Sequence, residues 1–433
     1  MKRYDYPDIG ESVYRATLKN GLSLAVAPKQ GFAKTYAVFA VRYGGMDLRF
    51  QTGGEFLDTP AGIAHYLEHK MFDTAEGNAL QELALNGAEP NAFTANGMTA
   101  YYFESTEKFE ENLRILLSFV SVPYFTEESV EKERGIIAQE IRMVEDNPEW
   151  RVYEQLLQSL YQNHPIRVPI AGTVESISHI TADTLYDCHR MFYTPANMFL
   201  AVVGDVEPER IAAIAEEILP QESAPAAARD YGAAEPETVA ARECEREMEV
   251  SQPSFLVGFK CAVPPEGGEE LRNSLVGELA CDILLGDSSP LFNRLYNEGL
   301  INGGFGGGYD VLSGAAMLYA GGDSRDPHAV RDAILAEAAR VAEEGVDSAR
   351  FQKILRGNYG ETLRGFNSFE NIAMLLTEGA FRGYDAYRFA ELYRSITEED
   401  VRGFIRRNLT EGHCALSVIR PAAGCAEEEE EEA

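Results

Sequence analysis

The sequence predicts an α+β protein of two related domains, each a mostly antiparallel sheet packed by helices. Three observations point that way. The chain has 433 residues, too many for one hydrophobic core and enough for two. The stretch "PQESAPAAARDYGAAEPETVA" divides it, being rich in Ala, Pro and Glu and lacking any periodic face. On either side the order strand, long helices, strand returns. The expected organisation is an N-terminal domain over 1–220, a linker over 221–240, a related domain over 241–422 and an acidic, disordered tail over 423–433.

In order, "LSLAVAPK" and "TYAVFAVRYGGMD" read as strands from their β-branched and aromatic content. "GMTAYYFEST" reads likewise, and two helical stretches run from about 107 to 162. "MFLAVVGDV" is the strand that closes this half, with a helix to follow. After the linker come a strand "PSFLVGFKCAV", a helix over about 268–298 and a Gly-rich hairpin "GGFGGGYDVLSGAAMLYAGGDS". Helices over about 328–344 and 347–380 precede the last strand, "HCALSVIR".

Composition excludes some functions. A net charge of −32 argues against nucleic acid or an anionic membrane as partner. No apolar run reaches the length of a membrane span, and residues 1–20 have no signal-peptide core. Cys188, Cys244, Cys261, Cys281, Cys414 and Cys425 are scattered without a CxxC pair. That usage fits reduced thiols and a cytoplasmic protein. "LGDSSP" has no G-x-S-x-G context for serine catalysis, and "GGFGGGYD" lacks the GK[ST] ending of a phosphate loop. His164 and His179 are expected to shape loops, and His189 and His328 to be solvated.

The chemistry concentrates in "AGIAHYLEHKMF", residues 61–72, where His65, Glu68 and His69 lie within five positions. Asp58 or Thr59 can cap a helix with Pro60 at its first position. On that helix the two imidazoles share one face and Glu68 lies beside it. Two neutral imidazoles suit Zn²⁺, and an adjacent carboxylate can take a proton from water; HxxEH is the inverzincin signature. Two histidines on a partly exposed helix would give the same spacing by chance, so a third ligand has to be found.

"TEESVEKERGIIAQEIRMVEDNPEW" offers one. Thr126 can cap its helix, and Val130, Ile136, Ile137, Ile141, Met143 and Val144 form an apolar arc. Glu133 and Glu140, seven apart, fall inside that arc. Carboxylates facing a core need an arginine partner, a protonation shift or a metal, and histidines waiting nearby favour the metal.

These blocks resemble the pitrilysin/insulinase family of zinc peptidases, most closely its YmfH-like bacterial branch. "HYLEHKMF" resembles the family's HxxEHxxF, "GAEPNAFTANGMTAYYF" its G-x-x-x-N-A-x-T segment, and "EKERGIIAQEI" the helix with the last zinc-binding glutamate. "NHPIRVPIAGTVESISHIT" and "YTPANMFLAVVGDV" resemble the blocks that close its first domain. The resemblance covers most of the chain and implies a pair of related α+β domains. It implies His65, His69 and Glu140 as zinc ligands, Glu68 as general base and Glu133 as a supporting carboxylate. Asn91 and Ala92 match the stretch beside the edge strand that pairs with substrate. Many members carry L-R-E-x-x-G-L-x-Y, whose Arg and Tyr bind the scissile carbonyl. Here "LFNRLYNEGLING" puts Tyr296 in the Arg position, leaving Arg294 and Tyr309 as off-register candidates. The expected function is a zinc endopeptidase acting on peptides. The second reading is a low-turnover subunit or maturation factor. Family enzymes enclose substrate between four domains, so a dimer is expected, preferably a heterodimer with a non-catalytic paralogue.

Overall fold

Two continuous apolar runs, 35–41 and 198–204, lie side by side at the centre of a seven-stranded sheet. The computed structural model describes residues 1–52 and 54–422. Its strands in the first half are β1 (Lys2–Tyr6), β2 (Glu11–Thr17), β3 (Ser23–Pro28), β4 (Thr35–Val41), the hairpins β5 (Arg49–Thr52)–β6 (Glu55–Asp58) and β7 (Asp73–Thr74)–β8 (Gly77–Asn78), then β9 (Ala88–Thr94), β10 (Thr99–Ser105) and β11 (Met198–Gly204). The large sheet has the order β1-β2-β3-β11-β4-β10-β9. Only β11 against β3 is parallel. Every residue of β4 and β11 is buried, because helices cover both faces. On one face lie α1 (Ile63–Met71), α2 (Ala79–Leu85) and α3 (Phe109–Ser121), with Leu67, Leu83, Leu116 and Phe192 in one core. On the other lies the helix Phe369–Arg382, where Phe381 meets Phe199 with ring centroids 6.4 Å apart.

The two helical stretches predicted over about 107–162 are three helices: α3, α4 (Glu127–Glu145) and α5 (Pro148–Leu160). Asn147 accepts from the Glu149 and Trp150 N–H groups and Pro148 follows, which stops α4 and starts α5. The second sheet comprises β12 (Glu243–Met248), β13 (Ser254–Lys260), β14 (Gly306–Leu312), β15 (Ala315–Asp323) and β16 (Cys414–Pro421), in the order β12-β16-β13-β15-β14. It is antiparallel apart from β12 beside β16. The Gly-rich segment is the β14–β15 hairpin, as its sequence suggests. Ser289 of "LGDSSP" caps the helix Pro290–Asn297, accepting from Phe292 N–H at 2.8 Å.

The compact units are not the contiguous stretches 1–220 and 241–422. The first comprises Met1–Ile141, Val168–Tyr231 and Glu361–Ala390; the second comprises Arg142–Arg167, Gly232–Gly360 and, among the described residues, 391–422. The 142–167 stretch joins the second because α5 packs Leu156, Leu157 and Leu160 onto β13, β15 and β16 residues such as Met317 and Ala415. The linker is tied down rather than free. Gln51 N–H donates to Ala228 O at 2.8 Å, and Arg229 pairs with the buried Asp47 at 2.9 Å. Further on, Glu235 accepts from Gln162, Asn163 and His164 N–H at 2.8, 2.7 and 2.8 Å and pairs with Lys260 at 2.5 Å. Among the described residues no helix is long and apolar enough to cross a membrane. The acidic tail and Cys425 lie outside the described residues.

Candidate metal centre

α1 starts later than its sequence predicts. Its N-cap is Gly62 at φ 93°, with no side-chain cap. Thr59 gives its hydroxyl to Leu48 O at 2.9 Å and Asp58 pairs with Arg49 at 2.8 Å, so neither is available. A Cβ on residue 62 would lie 2.5 Å from Ala171 O, which leaves glycine as the residue that fits both space and torsion. From this start His65 and His69 share one face, with ring centroids 4.6 Å apart. Ile63, Leu67 and Met71 hold the helix in the core. Tyr66 donates its hydroxyl to Val130 O and Lys70 donates to Ser129 O at 3.4 Å, locking α1 against the first turns of α4.

Thr126 caps α4, accepting from Ser129 N–H at 3.1 Å. The buried stripe of α4 is Val130, Ile137, Ala138 and Ile141. This is narrower than the predicted arc, since Ile136 and Met143 are 48% and 73% exposed. Glu133 and Glu140 therefore border the core and face α1. His65 Nε2 lies 3.3 Å from Glu140 Oε1, and His69 Nε2 lies 3.5 Å from Glu140 Oε2. His69 Nδ1 lies 3.1 Å from Glu133 Oε1. With Nδ1–H donating to that carboxylate, the Nε2 lone pair is left toward Glu140.

The donor set fits a zinc ion. One ligand atom from each of His65, His69 and Glu140 lies within 4.8 Å of the others, and two donors on a tetrahedral zinc stand about 3.4 Å apart. Electrostatics agree. Burial disfavours the charged His69, but the Glu133 hydrogen bond and the charges of Glu68 and Glu140 outweigh it and raise its pKa. The His69 bond holds Glu133 below the usual carboxylate range, and the His65 bond does the same for Glu140. A partly buried pocket ringed by three carboxylates is built for positive charge. Glu68 is 7% exposed, and its Oε2 accepts from Thr94 Oγ1 at 2.6 Å.

Comparison with known proteins decides the family. Residues 50–174 match the insulinase (peptidase family M16) model, and residues 179–358 match the peptidase M16 inactive domain. The chain is 40% identical over 431 residues to the protein named uncharacterized zinc protease YmfH of Bacillus subtilis, covering 97% of this chain and 99% of that one. The chain belongs to the M16 insulinase family. An M16-like peptidase from Alicyclobacillus acidocaldarius superposes with a TM-score of 0.91 at 33% identity, over 95% of this chain and 99% of that one. Pitrilysin superposes with 0.74 at 17% identity, where this M16 chain spans 95% of itself and 45% of pitrilysin. That likeness shows the fold alone.

The remaining candidates lie elsewhere in this M16 chain. Asn91 and Ala92 lie on β9, whose outer edge has no strand beside it among the described residues. Asn91 Oδ1 accepts from Ala92 N–H at 2.9 Å. Tyr309 is a core residue of the second unit: it is 7% exposed, gives its hydroxyl to Asn273 Oδ1 at 2.9 Å and packs edge-on against Phe404. A buried, engaged hydroxyl is a poor donor to a substrate carbonyl. Arg294 is exposed on the helix Pro290–Asn297, as is Tyr296 at 54%.

His164 does shape a loop, with Nδ1 accepting from Ile166 N–H at 3.2 Å and Nε2–H donating to Ser313 O at 2.9 Å. His189 is buried rather than solvated; Nε2–H donates to Val120 O at 3.1 Å, and burial lowers its pKa to about 4. His328 pairs with Glu243 at 2.8 Å. That histidine with Glu243 and Glu245 forms a second group of possible ligands. Arg420 grips Glu245 there and Arg331 lies 3.6 Å from Glu243, which makes it an ion-pair network. Sequence reasoning missed Tyr66, Lys70 and Thr94. For Thr94 the available signal was its place as the closing Thr of the G-x-x-x-N-A-x-T segment, to which no role had been given.

Proposed function

We propose that this chain is a zinc-dependent endopeptidase that cleaves peptides or short unfolded polypeptides. The observation that carries the reading is the convergence of His65, His69 and Glu140, with Glu68 on the adjacent turn of α1. His65, His69 and Glu140 would hold the ion, and Glu133 would keep the His69 ring turned with Nε2 toward it. A bound zinc supplies Lewis acidity to the scissile carbonyl and to water. Glu68 holds the attacking water, takes its proton as the bond to carbon forms, and hands that proton to the leaving amine. The open edge of β9 at Asn91 and Ala92 would align an extended substrate by backbone pairing, which gives affinity with little sequence selection. The five described cysteines are all free, in keeping with a reducing cytoplasm.

One observation favours a second reading, a low-turnover subunit or maturation factor working with a paralogue. Tyr296 stands where many relatives carry the carbonyl-binding Arg, and the Tyr309 hydroxyl is taken up by Asn273. We therefore favour a heterodimer with a non-catalytic paralogue that carries the Arg and Tyr. The test is zinc content together with hydrolysis of a quenched-peptide pool, for the chain alone and with that paralogue added. Hydrolysis that needs zinc and is lost in Glu68→Gln supports the peptidase. Zinc-loaded protein with no turnover in either condition overturns it in favour of the second reading.

A further inference from the structure

Glu68 sits on α1 with one carboxylate oxygen committed and the other not. Oε2 accepts the 2.6 Å bond from Thr94 Oγ1. Oε1 has no hydrogen-bond partner among the described residues and is not enclosed. An ionised carboxylate only accepts, so the Thr94 proton must point at Glu68. The hydroxyl behind it obeys the same logic. Thr99 stands directly opposite Thr94 across the β9–β10 pair, is fully buried, and donates to Tyr43 O at 2.9 Å. Its oxygen then lies 3.4 Å from Thr94 Oγ1 with no proton between them, so it leaves the Thr94 donor to the base.

The turn carrying these residues is pinned from outside the strand. Gly45 N–H donates to Ala95 O at 2.9 Å and Met46 N–H to Asn96 O at 3.0 Å. The loop that provides those donors is closed by Asp47, 1% exposed, which accepts from Gly44 N–H at 2.9 Å and from Tyr231 at 3.0 Å and pairs with Arg229. A residue that merely filled the end of an edge strand would need neither the hydroxyl nor this backing.

We infer that Thr94 is the positioning residue of Glu68. It fixes Oε2 so that Oε1 is the oxygen presented to water. The inference rests on Glu68 being the general base. Thr94→Val keeps the shape of the side chain and removes the donor; Thr94→Ser keeps the donor. In the zinc-loaded protein Thr94→Val should lower kcat by about 10-fold to 100-fold, the scale of a misplaced reacting group. KM should stay within about 2-fold and zinc content should not change, since no ligand or substrate contact is removed. Thr94→Ser should recover most of kcat. In a Glu68→Gln background Thr94→Val should cost little more, because the two act as a unit.

A readout independent of turnover is the double-mutant cycle of Thr94→Val with Glu68→Ala on the urea unfolding of the metal-free protein. The coupling expected of a hydrogen bond to a charged group is about 10-fold or more in the unfolding constant. Zero coupling overturns the inference, as does a Thr94→Val enzyme with full kcat beside an inactive Glu68→Gln. Loss of zinc in Thr94→Val also overturns it, by making the role structural. Full activity in Glu68→Gln would instead refute the reading of Glu68 as the base.

Discussion

Glu133 is the residue whose replacement best separates a metal ligand from the group that orients one. Its Oε1 lies 3.1 Å from His69 Nδ1, and the two side chains are 18% and 24% exposed. It is absent from the set of mutually close ligand atoms, which takes Glu140 from the same helix. A hydrogen bond to a charged group in such a half-shielded place is worth about 1.5–3 kcal/mol. Carried into metal binding at about 1.4 kcal/mol per decade, that is roughly 10-fold to 100-fold in zinc affinity, the range found for carboxylates behind metal-bound histidines. The variants should fall in order. Glu133→Gln keeps an acceptor oxygen and loses the charge, so about 10-fold is expected; Glu133→Ala loses both and should approach 100-fold. The assay is zinc competition against a fluorescent chelator at fixed pH, with the wild type and His69→Ala as the two limits. If Glu133→Ala binds like wild type, the contact does not orient His69. If it binds like His69→Ala, Glu133 is itself a ligand.

Glu68→Gln should keep zinc yet lose peptide hydrolysis by at least about 10²-fold, because it removes the proton shuttle and no ligand; near-normal turnover would show Glu68 to be a bystander. His65→Ala, His69→Ala and Glu140→Ala should each abolish zinc by elemental analysis, whereas Glu145→Ala, exposed at the end of α4, should retain it. Glu235 should make the second unit acid-sensitive. Burial pushes its carboxyl up, but Lys260 and the N–H groups of Gln162, Asn163 and His164 outweigh that and hold it at about 2, against an ordinary 4.5. A depressed carboxyl contributes above its unfolded pKa, and the contribution goes as pH falls from about 4.5 toward about 2. Glu235→Gln should therefore cost on the order of 1 kcal/mol in urea unfolding at pH 6, solvent screening reducing the effect of the charge, and much less near pH 2; an equal cost at both pH values would show that the charge is irrelevant.

The strands that could be read from sequence were those buried on both faces. β4 as "TYAVFAV" and β11 as "MFLAVVG" are continuous apolar runs because helices cover both sides. The strands missed were the exposed ones. β12 as "ECEREM" and β1 as "KRYDY" show little apolar alternation, since they lie at sheet edges with much of their surface in water. β9 contains Pro90, which a central strand would not tolerate and an edge strand does. The candidate site was legible where period alone suffices: His65 and His69 four apart, Glu133 and Glu140 seven apart. The start of α1 was misplaced because Gly62 is selected by Ala171, more than a hundred residues away, and no local rule weighs that contact.

Domain boundaries failed for a related reason. The hydrophobic period of α5, or of the helix Phe369–Arg382, says that one face must be covered and leaves open which sheet covers it. α5 follows α4 without a loop that looks like a border, because Asn147 and Pro148 join them as cap and first residue. It nevertheless packs on the second sheet, and Phe369–Arg382, deep in the second half of the chain, packs on the first. Dividing the chain at its one unpatterned stretch assumes that such a stretch spans open solvent. Arg229 and Glu235 show the alternative. Isolated charges in an Ala- and Pro-rich segment can each dock on a different unit through one buried ion pair and a few backbone hydrogen bonds, with no apolar periodicity at all. In such segments the charged residues, rather than the composition, carry the structural information.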